Sequence, residues 1–587
     1  MVKIVTVEQM RAIEKAADAA GHSYADMMTM AGQAVAERIL LKISTDVDKD
    51  APRVVVLVGP GNNGGDGLVA AKYVKESYPD AEVSAYLLKA RKDELLKDAQ
   101  ESGVVTETAE DDKNFRTLKN LATTADILVD ALFGTGTRVP IEGEAADVMK
   151  ALAAAIKNRQ QHHPRSRSIT PTQPAHDIST ELSLDHFREE IPAASPDHPY
   201  VIAVDCPTGL NCDTGEIDPL MMPADETVTF GAAKPGLLTF PGADATGLLH
   251  VADIGIPADN KALNAIQLEL ATAPLVGSLL PDRPRNSHKG TFGKAFIVAG
   301  SINFIGAAYL ATAAAYRVGA GLVTGAVPQM ILPSLATMLP EATWVLLPNN
   351  MGMINKSASK VVREELDGYT ALLVGPGIGN EDDTREFIED LLQPKVATKK
   401  TPSRLGFGSL INEIRGDDDA KAGDTPLPPL VIDADGLNVL AQIEEWWKLL
   451  PKDTIITPHP AEFARLAGIS DAAEVQANRI KIAQEKAAVW NCVVVLKGAF
   501  TVIAAPDGRA TVSPFASPSL ATAGTGDVLA GAITGLLAQK LAAYEAAVAG
   551  VWLHGWAGTH EQPNRGNIAS DVVDALAMAL QVAEYAG

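Results

Sequence analysis

Short apolar runs recur along this chain, each long enough for one buried strand and each separated from the next by a helix-length segment. In the first half they are Arg53–Gly59 (RVVVLVG), EVSAYLL, Ala125–Gly134 (ADILVDALFG) and Tyr200–Gly209 (YVIAVDCPTG). A run without polar alternation is buried on both faces, as in a parallel sheet. Strands alternating with helices indicate a doubly wound α/β sheet. Residues 7–42 carry helical spacing (Met10, Ile13, Ala17), and after RVVVLVG the pattern predicts a Gly-rich turn and then a helix from about Leu68 to Tyr78. The pattern closes near His250–Pro257 (HVADIGIP). After a short helical linker a second α/β series begins: KAFIVAGS, GLVTGAV, ALLVGPGIG, LVIDADGLN, TIITPHP, CVVVLKGA and TVIAAP. Its 587 residues exceed what one core usually serves. Two domains are expected, 1–257 and 268–587.

Two stretches break the pattern. About 158–199 (QQHHPRSRSITPTQPAHD within it) and about 397–428 (TKKTPSRLGFG to GDDDAKAGDTPLPP) are too polar to bury a core and read as surface insertions. The histidines of the first read as part of a solvated loop rather than a metal site. The apolar run Ile305–Val327 is broken by Arg317 and glycines, so it reads as helix, turn and strand, not as a membrane span. The N-terminus carries charges throughout and has no apolar core segment, so a secretory signal is not expected. A formal net charge of −23 argues against nucleic acid as a partner, but a small anion can still be held by local backbone dipoles. The cysteines, Cys206, Cys212 and Cys492, are odd in number and lack CxxC spacing, which suits a reducing cytoplasm. Small-molecule substrates are the expected partners. Ala-rich helical faces suit a homo-oligomer and ordinary packing alike.

In the first half, Gly59-Pro-Gly-Asn-Asn-Gly-Gly-Asp-Gly67 lies between a strand and a helix. Glycines admit close backbone approach to a ligand, and successive N–H groups at a helix start attract an anion. The spacing is neither that of the dinucleotide fingerprint nor that of the P-loop. Asn62, Asn63 and Asp66 add oxygens able to coordinate a hard cation. Two more strand ends, Val129–Thr137 (VDALFGTGT) and Val204–Gly209 (VDCPTG), converge on the crevice where ligands sit in open α/β sheets. They bring Asp130 and Asp205 to the rim, although either alone could be a turn or cap residue.

GPGNNGGDG, VDALFGTGT and VDCPTG together resemble the NAD(P)H-hydrate epimerase domain, the YjeF N-terminal family, over about residues 1–255 outside the insertion. The resemblance implies that hydrated NADH or NADPH is bound by Asn62, Asn63, Gly64, Gly65 and Asp66, by Gly134, Thr135, Gly136, Thr137, Arg138, Val139 and Pro140, and by Asp205. It also implies a potassium ion near Asn63, Asp130 and Thr208. The family commonly has Ser at the last position; Thr keeps the hydroxyl and carbonyl oxygens. Asp205 is the candidate acid/base for interconverting the R and S hydrates, since a carboxylate in a partly dry crevice is where a raised pKa is expected.

In the second half, Ala523-Gly-Thr-Gly-Asp527 precedes the helical pattern VLAGAITGLLAQ. The turn offers N–H groups and a helix dipole to phosphate. Asp527 at the helix start can act as general base toward a substrate hydroxyl in phosphoryl transfer, or simply cap the helix. Gly375-Pro-Gly-Ile-Gly379, Asp433-Ala-Asp-Gly-Leu-Asn438, Thr457-Pro-His-Pro-Ala-Glu462 and Leu496-Lys-Gly-Ala-Phe-Thr501 mostly follow apolar strands and so could share one sheet edge. There Lys497 would meet phosphate as a point charge. His459 opens a helix, and Glu462 would cap it or help hold Mg²⁺ through water.

With His288-Lys-Gly-Thr-Phe-Gly293 and Ser301…Gly306-Ala307, this ordered set resembles the NAD(P)H-hydrate dehydratase family over about residues 270–587 outside the insertion. The resemblance implies a ribokinase-like fold after the Rossmann-like first domain. It implies ADP (ATP in some relatives) with Mg²⁺ as phosphate donor to the S hydrate, releasing NAD(P)H, AMP and phosphate. Ala307, Gly379, His459 and Asp527 would then contact the hydrate, and Lys497, Gly498, Ala499, Phe500, Thr501 and Gly526 the adenine nucleotide. Phe500 departs from a frequent Gly. A vitamin-pathway small-molecule kinase fused to a non-catalytic ligand-binding domain is the alternative; it shares the GTGD turn but does not account for GPGNNGGDG on the same chain.

Overall fold

The computed structural model describes residues 2–47, 49–136, 139–156, 198–393, 426–560 and 565–587, together with the backbone of Ile169–Thr172. Most of both polar stretches lies outside these residues, as do Thr137 and Arg138. The chain divides into two compact units, Met1–Leu270 and Ala271–Gly587. Among the described residues no helix is long and apolar enough to cross a membrane.

The first unit is built on an eight-stranded sheet, all parallel. Its spatial order is Val105–Thr108, Glu82–Leu87, Arg53–Val58, Ile127–Ala131, Tyr200–Val204, Glu226–Phe230, Leu248–Ala252 and Ile169–Thr172. The chain lays down strands outward from Arg53–Val58 and then returns to place Ile127–Ala131 on its other side. That reversal opens a crevice above the carboxyl ends of these two strands. Arg53–Val58 is buried from its second residue on, and Ile127–Ala131 throughout, as apolar strands covered on both faces must be. The polar stretch is not wholly irregular, since Ile169–Thr172 pairs with Leu249–Ala252 at the sheet edge. There Pro171, which lacks an N–H, is tolerated.

Two helix expectations are corrected. Residues 7–42 form two helices, Val7–Ala19 and Tyr24–Asp46, because Thr6 and Ser23 each start one with a capping box. The helix expected from Leu68 begins at Asn62, so the Gly-rich segment is its first turns rather than a turn before it. Packing overrides propensity here. A Cβ at Gly64 would lie 2.0 Å from the Gly59 carbonyl oxygen, and one at Gly67 2.5 Å from the Ala131 Cβ. Only glycine lets the helix lie this close to the sheet.

In the second unit Lys294–Val298 is the third strand from one edge of the sheet. Leu322–Pro328 and Thr343–Leu347 lie on one side, and Ala371–Val374, Leu430–Ile432, Ile455–Ile456 and Val493–Leu496 on the other, all parallel. The antiparallel strands Val502–Ala504 and Ala510–Val512 extend it. The unit is a mixed α/β fold with a parallel sheet and an antiparallel extension. Helix Thr525–Ala538 is buried along most of its length against helix Ile305–Arg317, strand Ala371–Val374 and helix Ala543–Ala557. A Cβ at Gly531 would stand 2.2 Å from the Ala311 carbonyl oxygen, so the two helices meet backbone to backbone.

Candidate active sites

In the first unit the crevice residues arrive from three strand ends. Helix Asn62–Ser77 starts after Gly61 with no side-chain cap, leaving its first N–H groups facing the crevice. Arg91 braces that turn, donating to the Gly59 and Gly61 carbonyls at 2.9 and 3.0 Å. Asn62 is exposed, Asn63 half-buried, and Gly64, Gly65 and Asp66 buried. The Asn63 side-chain nitrogen is buried without a partner. Gly134 is buried between Asn63 and Asp205: a Cβ there would lie 2.8 Å from Asn63 Oδ1 and 3.0 Å from Asp205 Oδ2. Thr135 and Val139 are half-buried, and Gly136 and Pro140 exposed.

Asp130 and Thr208 meet directly. The Thr208 N–H donates to Asp130 Oδ2 at 2.8 Å and its hydroxyl to Oδ1 at 2.7 Å, while the Phe133 N–H donates to Thr208 Oγ1 at 3.1 Å. Both side chains are fully buried. Burial pushes the Asp130 carboxyl up, against the Thr208 bonds, and no basic side chain contributes. A buried carboxylate, the Thr208 hydroxyl and the Phe133 carbonyl 3.3 Å from that hydroxyl are oxygens of the kind that a hard monovalent cation takes, so these residues suit such an ion.

Asp205 sits in a network of donors. Following strand Tyr200–Val204, it takes a left-handed φ of 64°. It accepts the Thr135 N–H on Oδ2 at 3.1 Å, and the Thr229 hydroxyl and Lys234 ammonium on Oδ1 at 3.1 and 2.8 Å. Lys234 is 1% exposed and also donates to Thr229 Oγ1 and the Phe230 carbonyl. The rim carboxylate is therefore one half of a buried ion pair. Sequence reading passed over Lys234, although a lone lysine in the small-residue run Gly231–Gly236 (GAAKPG) just after a strand was a usable signal. Burial, with the charges of Asp205 and Glu14, pushes the Asp66 carboxyl well above the ordinary range; Arg91 opposes this. Burial likewise raises Glu14, which reaches in from helix Val7–Ala19.

In the second unit Ala307, in the first turn of helix Ile305–Arg317, lies against Gly377 of the GPGIG turn, where a Cβ would be 2.8 Å from its own. The Gly379 N–H donates to Asp435 Oδ2 at 2.9 Å. His459 caps helix Pro460–Ala467, its Nδ1 accepting the Ala461 N–H at 3.2 Å, and Glu462 Oε2 returns to the His459 N–H at 2.8 Å. Lys497 donates to Asp433 Oδ1 at 2.6 Å, with Glu462 Oε2 at 3.9 Å. Thr457 donates to the same Asp433 oxygen at 2.8 Å. Burial alone would lower Lys497, yet Asp433 and Glu462 hold the ammonium above its ordinary value. Gly526 lies beside it; a Cβ there would be 3.6 Å from Lys497 Nζ. Asp527, in the first turn of helix Thr525–Ala538, is pushed up to about 7 by burial and the Asp433 charge, against the pull of Lys497. Gly498 and Ala499 are exposed and Thr501 half-buried. Phe500 is buried at φ 52°, its ring in the core rather than in the crevice. Arg479 holds this loop from behind, donating to the Leu496 and Lys497 carbonyls at 2.8 and 3.2 Å.

One motif stands apart. His288–Gly293 precedes strand Lys294–Val298, and so lies at the sheet edge opposite the strand ends that carry the other turns. Among the described residues no group of three or more His, Cys, Asp or Glu is arranged to hold a metal.

Comparisons with known proteins follow the same division. The family described as YjeF-related protein N-terminus matches residues 24–236, and the NAD(P)H-hydrate dehydratase family matches residues 295–398 and 417–579. The bifunctional NAD(P)H-hydrate repair enzyme Nnr of Moorella thermoacetica is 34% identical over 90% of this chain and 87% of its own length. The chain belongs to the bifunctional NAD(P)H-hydrate repair enzyme family. Another member of this repair enzyme family, from Thermofilum pendens, is 31% identical over 96% of this chain and 93% of its own. A solved ADP/ATP-dependent NAD(P)H-hydrate dehydratase from Bacillus subtilis, co-crystallised with ATP and Mg²⁺, is 30% identical. It covers 54% of this chain and 99% of its own, with a TM-score of 0.42.

Proposed function

We propose that the two halves of this repair enzyme divide one task. The first unit, assigned residues 1–257, epimerises R and S hydrated NADH or NADPH. The second, assigned 268–587, dehydrates the S form at the expense of ADP or ATP. A hydrated reduced nicotinamide carries a hydroxyl on the carbon beside the ring nitrogen. Phosphorylating that hydroxyl turns it into a good leaving group, and the ring nitrogen then expels phosphate, so catalysis is mostly positioning and charge neutralisation.

The observation carrying the second half is the placement of Asp527. It stands at a helix start beside Lys497, with a carboxyl that titrates near neutrality. A group poised there can take the hydroxyl proton as the terminal phosphoryl arrives. Lys497, Gly498, Ala499, Phe500, Thr501 and Gly526 are assigned to the nucleotide, Phe500 through its backbone. Ala307, Gly379 and His459 are assigned to the hydrate. Mg²⁺ bound with the nucleotide would neutralise phosphate charge. In the first half, Asn62–Asp66, Gly134–Pro140 and Asp205 are assigned to the hydrate, with Asp205 as acid/base and potassium at Asn63, Asp130 and Thr208. The buried free thiols suit a reducing cytoplasm.

The test is incubation with mixed epimers plus ADP or ATP, following reduced-nicotinamide absorbance. Full recovery is expected from the intact chain, recovery of only the S share from Asp205→Asn, and none from Asp527→Ala. Undiminished turnover by Asp527→Ala would remove the general-base assignment.

A further inference from the structure

Two routes can epimerise a carbon that carries both a hydroxyl and a ring nitrogen. In the first, an acid protonates the hydroxyl, the C–O bond breaks as the nitrogen lone pair forms C=N, and water adds to the other face. In the second, a base takes the hydroxyl proton and the oxygen lone pair forms C=O as the C–N bond breaks. The C–N electron pair then goes onto nitrogen and spreads through the neighbouring C=C into the carboxamide oxygen. Rotation presents the other aldehyde face, nitrogen re-attacks, and the oxygen takes its proton back. The first route passes through a cation and exchanges the oxygen with water. The second passes through an anion and keeps its oxygen.

The crevice is built for the second. Asp205 accepts donors on both oxygens: the Thr135 N–H on one, and the Thr229 hydroxyl and Lys234 ammonium on the other. All three bonds are ones the carboxylate makes as an acceptor, so the group stands ready as a base. Lys234 is 1% exposed, and its other bonds go to Thr229 Oγ1 at 2.7 Å and the Phe230 carbonyl at 3.1 Å. The first route needs an acid, and a carboxylate that already accepts from an ammonium, a hydroxyl and an amide is placed to take a proton rather than to give one. The other titratable groups whose charges reach this pair are Glu14 from helix Val7–Ala19, Asp66 from helix Asn62–Ser77 and Cys206 next in the chain.

We propose that Lys234 is a positioning residue that holds Asp205 as the base of a ring-opening epimerisation, in which the C–N bond breaks and the C–O bond does not. This rests on Asp205 being the epimerase acid/base. The decisive experiment uses the unmodified full chain without nucleotide. Purified S hydrate is epimerised in ¹⁸O-water, and both epimers are followed by chromatography with mass detection. Epimerisation without ¹⁸O uptake beyond the enzyme-free control is expected; uptake keeping pace with epimerisation overturns the proposal. Lys234→Met should slow epimerisation at least tenfold at neutral pH and move the rising limb of its pH profile upward, with Lys234→Arg restoring part of both. Because dehydration reports only on the second unit, far-UV circular dichroism and a cooperative urea transition for the first unit, matched to those of the parent, show that each variant has folded. An unshifted profile in a folded Lys234→Met chain removes Lys234 from the mechanism. Unchanged epimerisation by Asp205→Asn would instead overturn the underlying assignment.

Discussion

Lys497 and Asp433 form the tightest charged contact of the second unit's crevice, Nζ to Oδ1 at 2.6 Å, with Asp433 1% exposed. Thr457 donates to the same oxygen, so the carboxylate is satisfied by the protein and need not be answered by a ligand. Lys497→Met should strip Asp433 of its counter-charge and cost about 3–5 kcal/mol, the usual result of breaking a buried pair from one side. Urea denaturation measures it. A loss under about 1 kcal/mol would mean that Asp433 finds another partner.

Asp527 should give the dehydratase a pH profile that rises through about 7, because the base acts only when ionised. Asp527→Asn should lower kcat by about 10²–10⁴-fold. The stability effect has the opposite sign. A carboxyl whose folded value is raised destabilises the fold increasingly as pH climbs from its unfolded value toward the folded one. Asp527→Asn should therefore melt higher than the parent at pH 8 and at the same temperature at pH 3.

The same reasoning applies to Asp66, buried and raised well above the ordinary range by burial and by Asp205 and Glu14. Its neutral form is the one the fold prefers. Asp66→Asn should gain stability relative to the parent as pH rises above the unfolded carboxylate range. Equal melting curves from pH 3 to 8 would show that Asp66 ionises freely in the folded chain.

Thr208→Val should remove the hydroxyl that reaches Asp130 at 2.7 Å and leave a buried carboxylate with one fewer donor. A loss of about 1.5–3 kcal/mol is expected. Epimerisation should also lose its response to potassium when tetramethylammonium is substituted. If the parent itself is indifferent to that exchange, the Asn63, Asp130 and Thr208 ion assignment fails.

Gly134→Ala should place a methyl 2.8 Å from Asn63 Oδ1 and 3.0 Å from Asp205 Oδ2. Both contacts are side-chain ends, so the fold can yield while the crevice cannot keep its shape. Epimerase kcat/KM should drop at least tenfold with dehydration intact, in an assay of each reaction on one preparation.

Much of this was legible in the sequence because most motifs begin where an apolar run ends, His288–Gly293 and the turn at Gly524–Asp527 being the exceptions. GPGNNGGDG, VDALFGTGT and VDCPTG had to meet if their strands were parallel neighbours, and they do. Two things were hidden. One was where glycine-rich turns become helix: Asn62–Gly67 is helical because its neighbours leave no room for a Cβ, a fact of packing and not of propensity. The other was pairing across the sheet. Lys234 lies 29 residues beyond Asp205 and reaches it only because strand Glu226–Phe230 lies next to Tyr200–Val204. Asp435 similarly reaches Gly379 from 56 residues away. No local spacing encodes such contacts.

The glycine seam between helices Ile305–Arg317 and Thr525–Ala538 has an evolutionary consequence. One helix begins just before Ala307 and the other at the turn holding Gly526 and Asp527, and with Gly531 against the Ala311 carbonyl neither can slide. On the proposed assignment of hydrate to Ala307 and donor to Gly526 and Lys497–Thr501, the reach between them is a fixed gauge cut into the backbone. On that assignment a lineage switching between a two-phosphate and a three-phosphate donor would have to adjust the outer Lys497–Thr501 loop, and drift in donor choice should be found there rather than along the seam.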